Sequence, residues 1–282
     1  MSSAPCEGGR ILRSVSMSII RTIVERRELV ANLVSRELKS KYKGSVLGFL
    51  WSLLTPLFMA VIYVFFLRLL AGRGVPVENI IIGVFAWQFT ALCVNGGMTC
   101  VTGSSNLVKK VYFPRFILPL ANTLANLVNF LLSLAVQFVI LFLLLGLKGT
   151  TVSPWSLALP VLILYHTLFN LGLALMMSSA NVYFRDTQHL AGVLLSAWFF
   201  VSPVMYDLSF VERVAPASPL LANLYMLNPM AVIITGYRAL TMPGEVFPWT
   251  PYTIAALVLP LVFLWIAGIV FQRSEKNFAD ML

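Results

Sequence analysis

Six stretches of this chain are long and apolar enough to cross a lipid bilayer, and they constrain its fold before any motif is read. A helix needs roughly 20 apolar residues to span the hydrocarbon core. The candidates occupy residues 46–70, 80–101, 116–147, 155–179, 189–206 and 252–271. The third is long enough to tilt or to project beyond the bilayer. Composition agrees: the 282 residues are 59% hydrophobic and only 11% charged, whereas a soluble domain carries roughly 25% charged residues. That argues against a soluble enzyme, a disordered tail and a secreted disulfide scaffold. The expected fold class is an all-α integral membrane protein with six transmembrane helices.

The net charge of +9 is read through its placement. With both termini inside, fifteen of the twenty Lys and Arg fall on the cytoplasmic side, and five (Arg68, Arg73, Lys148, Arg213, Arg238) fall outside. That asymmetry fits the positive-inside rule and gives no reason to invoke nucleic acid. Tyr42, Tyr112 and Tyr183 near the inner boundary, with Trp155, Trp249 and Tyr252 near the outer one, suit interfacial anchoring. The first twenty residues contain no apolar stretch of signal-peptide length, so the N-terminus is expected to stay cytoplasmic. Cys93 and Cys100 would stand about 10 Å apart along one helix, too far for a disulfide. Cys6 stands alone, so no metal or disulfide framework follows.

Two regions depart from the simple spans. Val30, Leu33, Val34 and Leu38 follow helical spacing amid Arg26, Arg27, Arg36, Lys39, Lys41 and Lys43, which predicts a basic amphipathic helix in the membrane interface. Between Asp207 and Thr250, Pro216, Pro219, Pro229, Pro243 and Pro248 cut an apolar stretch into short pieces. A helix over 230–242 would be about 20 Å long, short of the roughly 30 Å core. Two short re-entrant segments that dip into the outer leaflet are expected there. The organisation is then a cytoplasmic region at 1–45, a transmembrane domain at 46–272 with the dipping segments in 207–250, and a cytoplasmic tail at 273–282.

None of the eleven acidic residues falls in the middle of a span, where ion-coupled transporters usually keep ionisable groups. His166 alone sits at that depth, as a candidate helix-to-helix hydrogen bond. The chain has no GxxxxGK[ST] phosphate loop, GxSxG elbow or HExxH helix. Any uphill transport must therefore draw its energy from another subunit.

Polar residues inside the spans align instead. Asn122, Asn126, Asn129, Ser133 and Gln137 occupy an arc of roughly 80° on one helical face, and His166, Asn170 and Asn181 share another. Amides facing lipid are costly, so both faces must meet protein or water, either as glue between helices or as the wall of a polar conduit. Pro56 frees the carbonyl of Ser52 and should bend the first span. Gly44 and Gly48 form a small-xxx-small pair that would permit close helix contact.

The cytoplasmic segments carry a resemblance. RELKSKYKGSVLGFLW at 36–51 with Pro56 beyond, SNLVKKVYFPR at 105–115 followed by ILPL at 117–120, NVYFRD at 181–186, LNPM at 227–230 and FAD at 278–280 resemble, in order, the ABC exporter permeases for lipid-linked polysaccharide. That family includes the permeases for O-antigen and wall teichoic acid, with capsule permeases more distant.

The resemblance implies a permease homodimer in the bacterial inner membrane, bound to two copies of a cytoplasmic ATPase and moving an undecaprenyl-diphosphate-linked glycan outward. The chain itself would hold no cofactor, since ATP and Mg belong to the ATPase. The segment with Ser104, Leu107, Val108, Lys109, Lys110, Tyr112 and Arg115 would be the coupling helix, with Arg185 and Asp186 near the same surface. Arg36, Lys39, Lys41 and Lys43 stand where a diphosphate headgroup needs cations. Tyr63, Phe66, Trp87, Phe89, Trp198 and Phe199 are candidates for the glycan path with Asn122, Asn126 and Asn129, and core or lipid packing is the competing role of the aromatics. Tyr225, Asn228 and Tyr237 would lie at the outer gate. The rival readings are a related ABC permease for drugs or small lipids, a membrane enzyme acting on a polyprenyl carrier, and a purely structural anchor. The enzyme reading requires paired carboxylates at one interface, and none is apparent in the sequence.

Overall fold

The computed structural model describes residues 24–45, 47–48, 50–71, 76–111, 113–209, 211 and 223–282. The described residues contain helices and no strand. They are α1 (Arg27–Tyr42), α2 (Leu50–Ala71), α3 (Val77–Cys100), α4 (Ser105–Lys110), α5 (Ile117–Leu147), α6 (Leu159–Tyr183), α7 (Thr187–Val201), α8 (Pro229–Thr241), α9 (Pro251–Ser274) and α10 (Phe278–Met281). Among the described residues, four helical stretches are long and apolar enough to cross a membrane: Val77–Cys100, Ile117–Leu147, Pro154–Tyr183 and Pro251–Met281. Leu50–Phe66 and Thr187–Val201 are apolar but shorter.

The central helix is α3, packed by α2, α5, α6, α7 and α8. Small residues permit that crowding. A Cβ on Gly97 would fall 2.7 Å from Ala174 Cα, so α3 and α6 touch backbone to backbone there. A Cβ on Gly83 would fall 2.9 Å from Val204 Cα. Phe142, Leu143, Val161, Leu164, Val193 and Leu194 on α5, α6 and α7 are exposed, as a lipid-facing surface requires.

One end of the bundle is closed by a single apolar cluster. It joins Val30 and Leu33 of α1, Val108 of α4, Ile117 of α5, Phe271 of α9 and Phe278 of α10. Both described ends of the chain and the loop between α3 and α5 therefore share one side. The opposite side is marked by the Lys148 to Glu78 ion pair at 2.7 Å and by the backbone bond from Ser153 to Thr241 at 3.0 Å.

Three expectations change. The stretch expected to span 189–206 is helical only through Val201, because the backbone turns extended at Ser202 (φ −100°, ψ 147°) before Pro203. Fifteen residues make a helix about 22 Å long. Gly44 and Gly48 do not bring two helices together: they have φ of 78° and 47°, the left-handed region that glycine enters without strain. They turn the chain from α1 into α2. The first span accordingly starts at Leu50, not at 46. Within 207–250, where two dipping segments were expected, a 13-residue helix, α8, is present; residues 210 and 212–222 lie outside the described residues.

Candidate functional site

The basic face of α1 borders two recesses. One, of about 640 Å³, is lined by Asn32, Ser35, Arg36, Lys39, Ser40 and Lys43. Arg36 donates to Ser104 Oγ at 3.0 Å and pairs with Glu37 at 3.3 Å. Lys39 and Lys43 are exposed. The second recess, of about 300 Å³, has Lys41, Ser45, Ser52, Thr55 and Gln88 among its lining residues. There Lys41 Nζ donates to Asn126 Oδ1 at 3.1 Å, and desolvation holds its amine below the ordinary lysine range, with Glu37 opposing the shift. The structure thus divides the four predicted headgroup cations between two places.

The amide stripe of α5 turns inward. Asn122, Asn126, Asn129, Ser133 and Gln137 are all buried. Asn122 Nδ2 donates to Cys93 O at 3.2 Å, and Asn126 Nδ2 donates to Leu92 O at 3.3 Å and to Asn122 Oδ1 at 3.2 Å. Ser133 Oγ donates to the Ser52 carbonyl at 3.5 Å, the carbonyl that Pro56 frees. In α6, His166 Nε2 lies 2.7 Å from Thr90 Oγ1 and Nδ1 lies 3.4 Å from Tyr237 Oη. Asn181 donates to Met98 O at 2.8 Å. Most of these groups bind neighbouring helices. Asn170 is the exception: fully buried, it has no hydrogen-bond partner for either amide atom among the described residues.

The aromatic candidates separate. Tyr63 and Phe199 have ring centroids 5.5 Å apart, Trp87 lies 5.5 Å from Phe199 and 5.6 Å from Trp198. These four rings form one cluster between α2, α3 and α7. Phe89 instead stacks on Phe130 at 4.5 Å and meets His166 edge-on in the core. Phe66 is exposed and pairs with Phe65.

The cluster is tied directly to the start of α8. Trp198 Nε1 donates to Asn228 Oδ1 at 2.9 Å, while Asn228 Nδ2 donates to Ser202 Oγ at 3.0 Å. The same Oδ1 caps α8 by accepting from Met230 N at 3.0 Å, a role for which Asn is favoured. Tyr225 Oη donates to Tyr206 Oη at 3.2 Å. Tyr237, expected at the outer gate, is 1% exposed and packs beside His166.

Sequence reasoning counted Arg238 only as an outer charge. In the structure it is 3% exposed and anchors α8. Its guanidinium donates to Asn79 O at 3.2 and 2.9 Å, to Pro203 O at 2.7 Å and to Tyr206 O at 3.0 Å. Asp207 Oδ1 lies 3.6 Å away and accepts from Asn79 Nδ2 at 2.8 Å. The available signal was a cation inside a short apolar helix, which lipid does not tolerate without partners.

At the end closed by the cluster of α1, α4 and α10, the predicted coupling segment divides by face. Val108 is buried and Leu107 packs against the same cluster, while Lys109 and Lys110 are exposed. Arg115 donates to the Glu275 carbonyl. Arg185 and Asp186 are exposed, and Arg185 lines a recess of about 350 Å³ with Thr102, Ser105 and Asn181. Tyr112 lies outside the described residues. No group of three or more His, Cys, Asp or Glu among the described residues is placed to hold a metal ion.

The sequence is similar to those of known proteins. The family described as ABC-2 type transporter matches residues 28–242. An O-antigen export system permease protein of Myxococcus xanthus is 33% identical over 267 residues, covering 94% of this chain and 99% of the relative. Two O-antigen export system permease proteins of Klebsiella pneumoniae are 27% and 26% identical, each covering 90% of this chain and 95% of the relative.

Proposed function

Since the chain belongs to the ABC-2 type transporter family, we propose that it is the permease subunit of an exporter that moves an undecaprenyl-diphosphate-linked polysaccharide, most plainly an O-antigen, across the inner membrane. It is a transporter component rather than an enzyme. The observation that carries the reading is the match to an O-antigen export permease along 94% of the chain. The missing phosphate loop is consistent with ATP hydrolysis in a separate subunit, present in two copies on a permease homodimer.

In this reading α2 and α7 join the four longer spans as the fifth and sixth membrane helices. The end that holds α1, α4 and α10 is cytoplasmic, which puts most of the basic residues inside. α8 is a re-entrant helix: its start meets Thr90 through Met230 at 3.4 Å, thirteen residues along α3 and so about 20 Å from the outer end of that helix.

Cations on α1 gather the diphosphate at the inner headgroup level, where charge-assisted hydrogen bonds are strongest. The rings of Tyr63, Trp87, Trp198 and Phe199 offer apolar faces along which sugars can slide. The bond between Trp198 and Asn228 links that path to the outer gate. ATP-driven motion enters through α4, whose lysines face away from the bundle. The reading is tested in cells that lack this chain: lipid-linked glycan should accumulate on the inner leaflet and disappear from the surface, and the intact gene should restore export. Normal surface glycan without the chain would overturn it.

A further inference from the structure

The C-terminal tail is built into the inner face in a way that a free end is not. After α9 a short turn leads to Phe278, which is 0% exposed. Its ring lies 5.4 Å from Phe271 at 86° and 6.4 Å from Tyr183 at 65°. Tyr183 Oη donates to Ser274 O at 3.2 Å, and Arg115 donates to the Glu275 carbonyl. The end of α6 and the loop before α5 thus grip the backbone just before Phe278.

The tail also supports α4. That helix has six residues and no side-chain cap, and isolated helices shorter than about 12 residues are marginal in water. Its place is set by what it packs on, and the cluster beneath it contains Phe278 and, at its margin, Leu282. Beyond Phe278 the chain turns outward again. Met281 is 52% exposed. Met281 and Leu282 form a wall of the recess of about 350 Å³ whose other lining includes Thr102, Ser105, Arg185 and Gln188. Met and Arg are both enriched at protein–protein interfaces, and here an exposed Met borders a hollow that holds Arg185.

We propose that residues 278–282 are part of the surface that docks the ATPase: Phe278 pins the tail under α4, and Met281 and Leu282 complete a recess that receives side chains of that subunit. The inference rests on the exporter reading and extends the docking surface beyond α4. The exposed Lys109, Lys110 and Arg185 stand there beside exposed Asp186 and Asp280, so the surface offers charges of both signs for complementary pairing with the ATPase.

Photo-crosslinking in the intact permease–ATPase complex tests both levels. A benzophenone amino acid is placed at Met281 in one sample and at Lys110 in another. Adducts with the ATPase from both positions are the expected result. An adduct from Lys110 alone overturns the tail's role and leaves α4 as the docking element. No adduct from either position overturns the docking assignment as a whole. In a second measurement, Phe278→Ala should lower the ATPase recovered with the permease by about tenfold, a loss in the range of an interface anchor, and Phe278→Leu should restore most of it. Equal recovery with Phe278→Ala, at normal membrane levels of the permease, would count against the pin.

Discussion

Arg238 Nε and Nη2 both donate to the carbonyl oxygen of Asn79, at 3.2 and 2.9 Å, and so fasten α8 to the first turn of α3. Asn79 returns the favour through its amide, which holds Asp207 at 2.8 Å beside the same guanidinium. The outer end of the bundle is therefore organised around one buried cation shared by α8, α3 and the 203–207 turn.

Removing that cation should loosen the outer end. Arg238→Ala leaves the carbonyls of Asn79 and Pro203 without their side-chain donor and Asp207 with its bond from Asn79 but no ion-pair partner, a loss of about 1–3 kcal/mol for buried acceptors left unsatisfied. Arg238→Lys should recover only part, because one ammonium cannot reproduce the planar fork. Thermal unfolding of the purified protein in detergent checks both. A melting temperature unchanged in Arg238→Ala would remove the anchor from the account.

Asn228 carries three duties with one side chain: it caps α8, holds Ser202 and accepts from Trp198. Asn228→Ala should cost about 1 kcal/mol from the cap alone and, by freeing Trp198, reduce export more than stability. Trp198→Phe keeps an aromatic face but loses the pyrrole ring and its donor to Asn228 while sparing the cap, so its stability cost should be smaller. Surface glycan measured beside permease abundance separates the two effects.

Asn170 is buried with both amide atoms unpartnered among the described residues, an arrangement that costs roughly 1–3 kcal/mol. Asn170→Leu should raise stability by about 1 kcal/mol or more. If export falls in this more stable variant, the amide serves transport; if export is unchanged, it serves neither. Denaturation in detergent together with surface-glycan quantification distinguishes these outcomes.

Lys41 gives a pH signature. Desolvation lowers its folded pKa below the ordinary 10.5, so between the lowered value and 10.5 the unfolded chain binds more protons than the folded one. Stability must then rise with pH across that window. Below the lowered value both states are protonated and the penalty is constant. Lys41→Met should flatten the rise relative to the unaltered protein. Parallel stability curves for the two proteins from pH 7 to 10.5 would refute the desolvation of this amine.

Much of this architecture can be read from residue spacing alone. An amide in a lipid-length helix has few options, so the arc from Asn122 to Gln137 had to face protein or water, and the structure buries it. The division of α4 into packed Leu107 and Val108 against exposed Lys109 and Lys110 follows from helical period in the same way. Long-range pairing is another matter. Nothing local to Arg238 reveals that its acceptor is Asn79, 159 residues away, and nothing local to Phe89 or Tyr237 separates a core ring from one that lines a path. The end of α7 was misjudged because 202–206 is apolar enough to continue a span, although Pro203 and the extended backbone at Ser202 end the helix.

Coupling through α4 should be separable from folding. Lys109→Glu with Lys110→Glu alters only exposed side chains, so the permease should reach the membrane in normal amounts while export falls at least tenfold, the effect of reversing charges at a docking surface. Normal export by the double variant would show that these lysines do not meet the ATPase.

The central claim is that this chain conducts a lipid-linked glycan at the expense of ATP hydrolysed by a partner. The most direct measurement reconstitutes permease and ATPase together in vesicles that carry undecaprenyl-diphosphate-linked glycan on the ATPase-facing leaflet, and follows the appearance of glycan on the other side. The account predicts transfer that requires ATP and both subunits, with hydrolysis stimulated by the glycan lipid. Steady ATP hydrolysis with the glycan left where it started would contradict it.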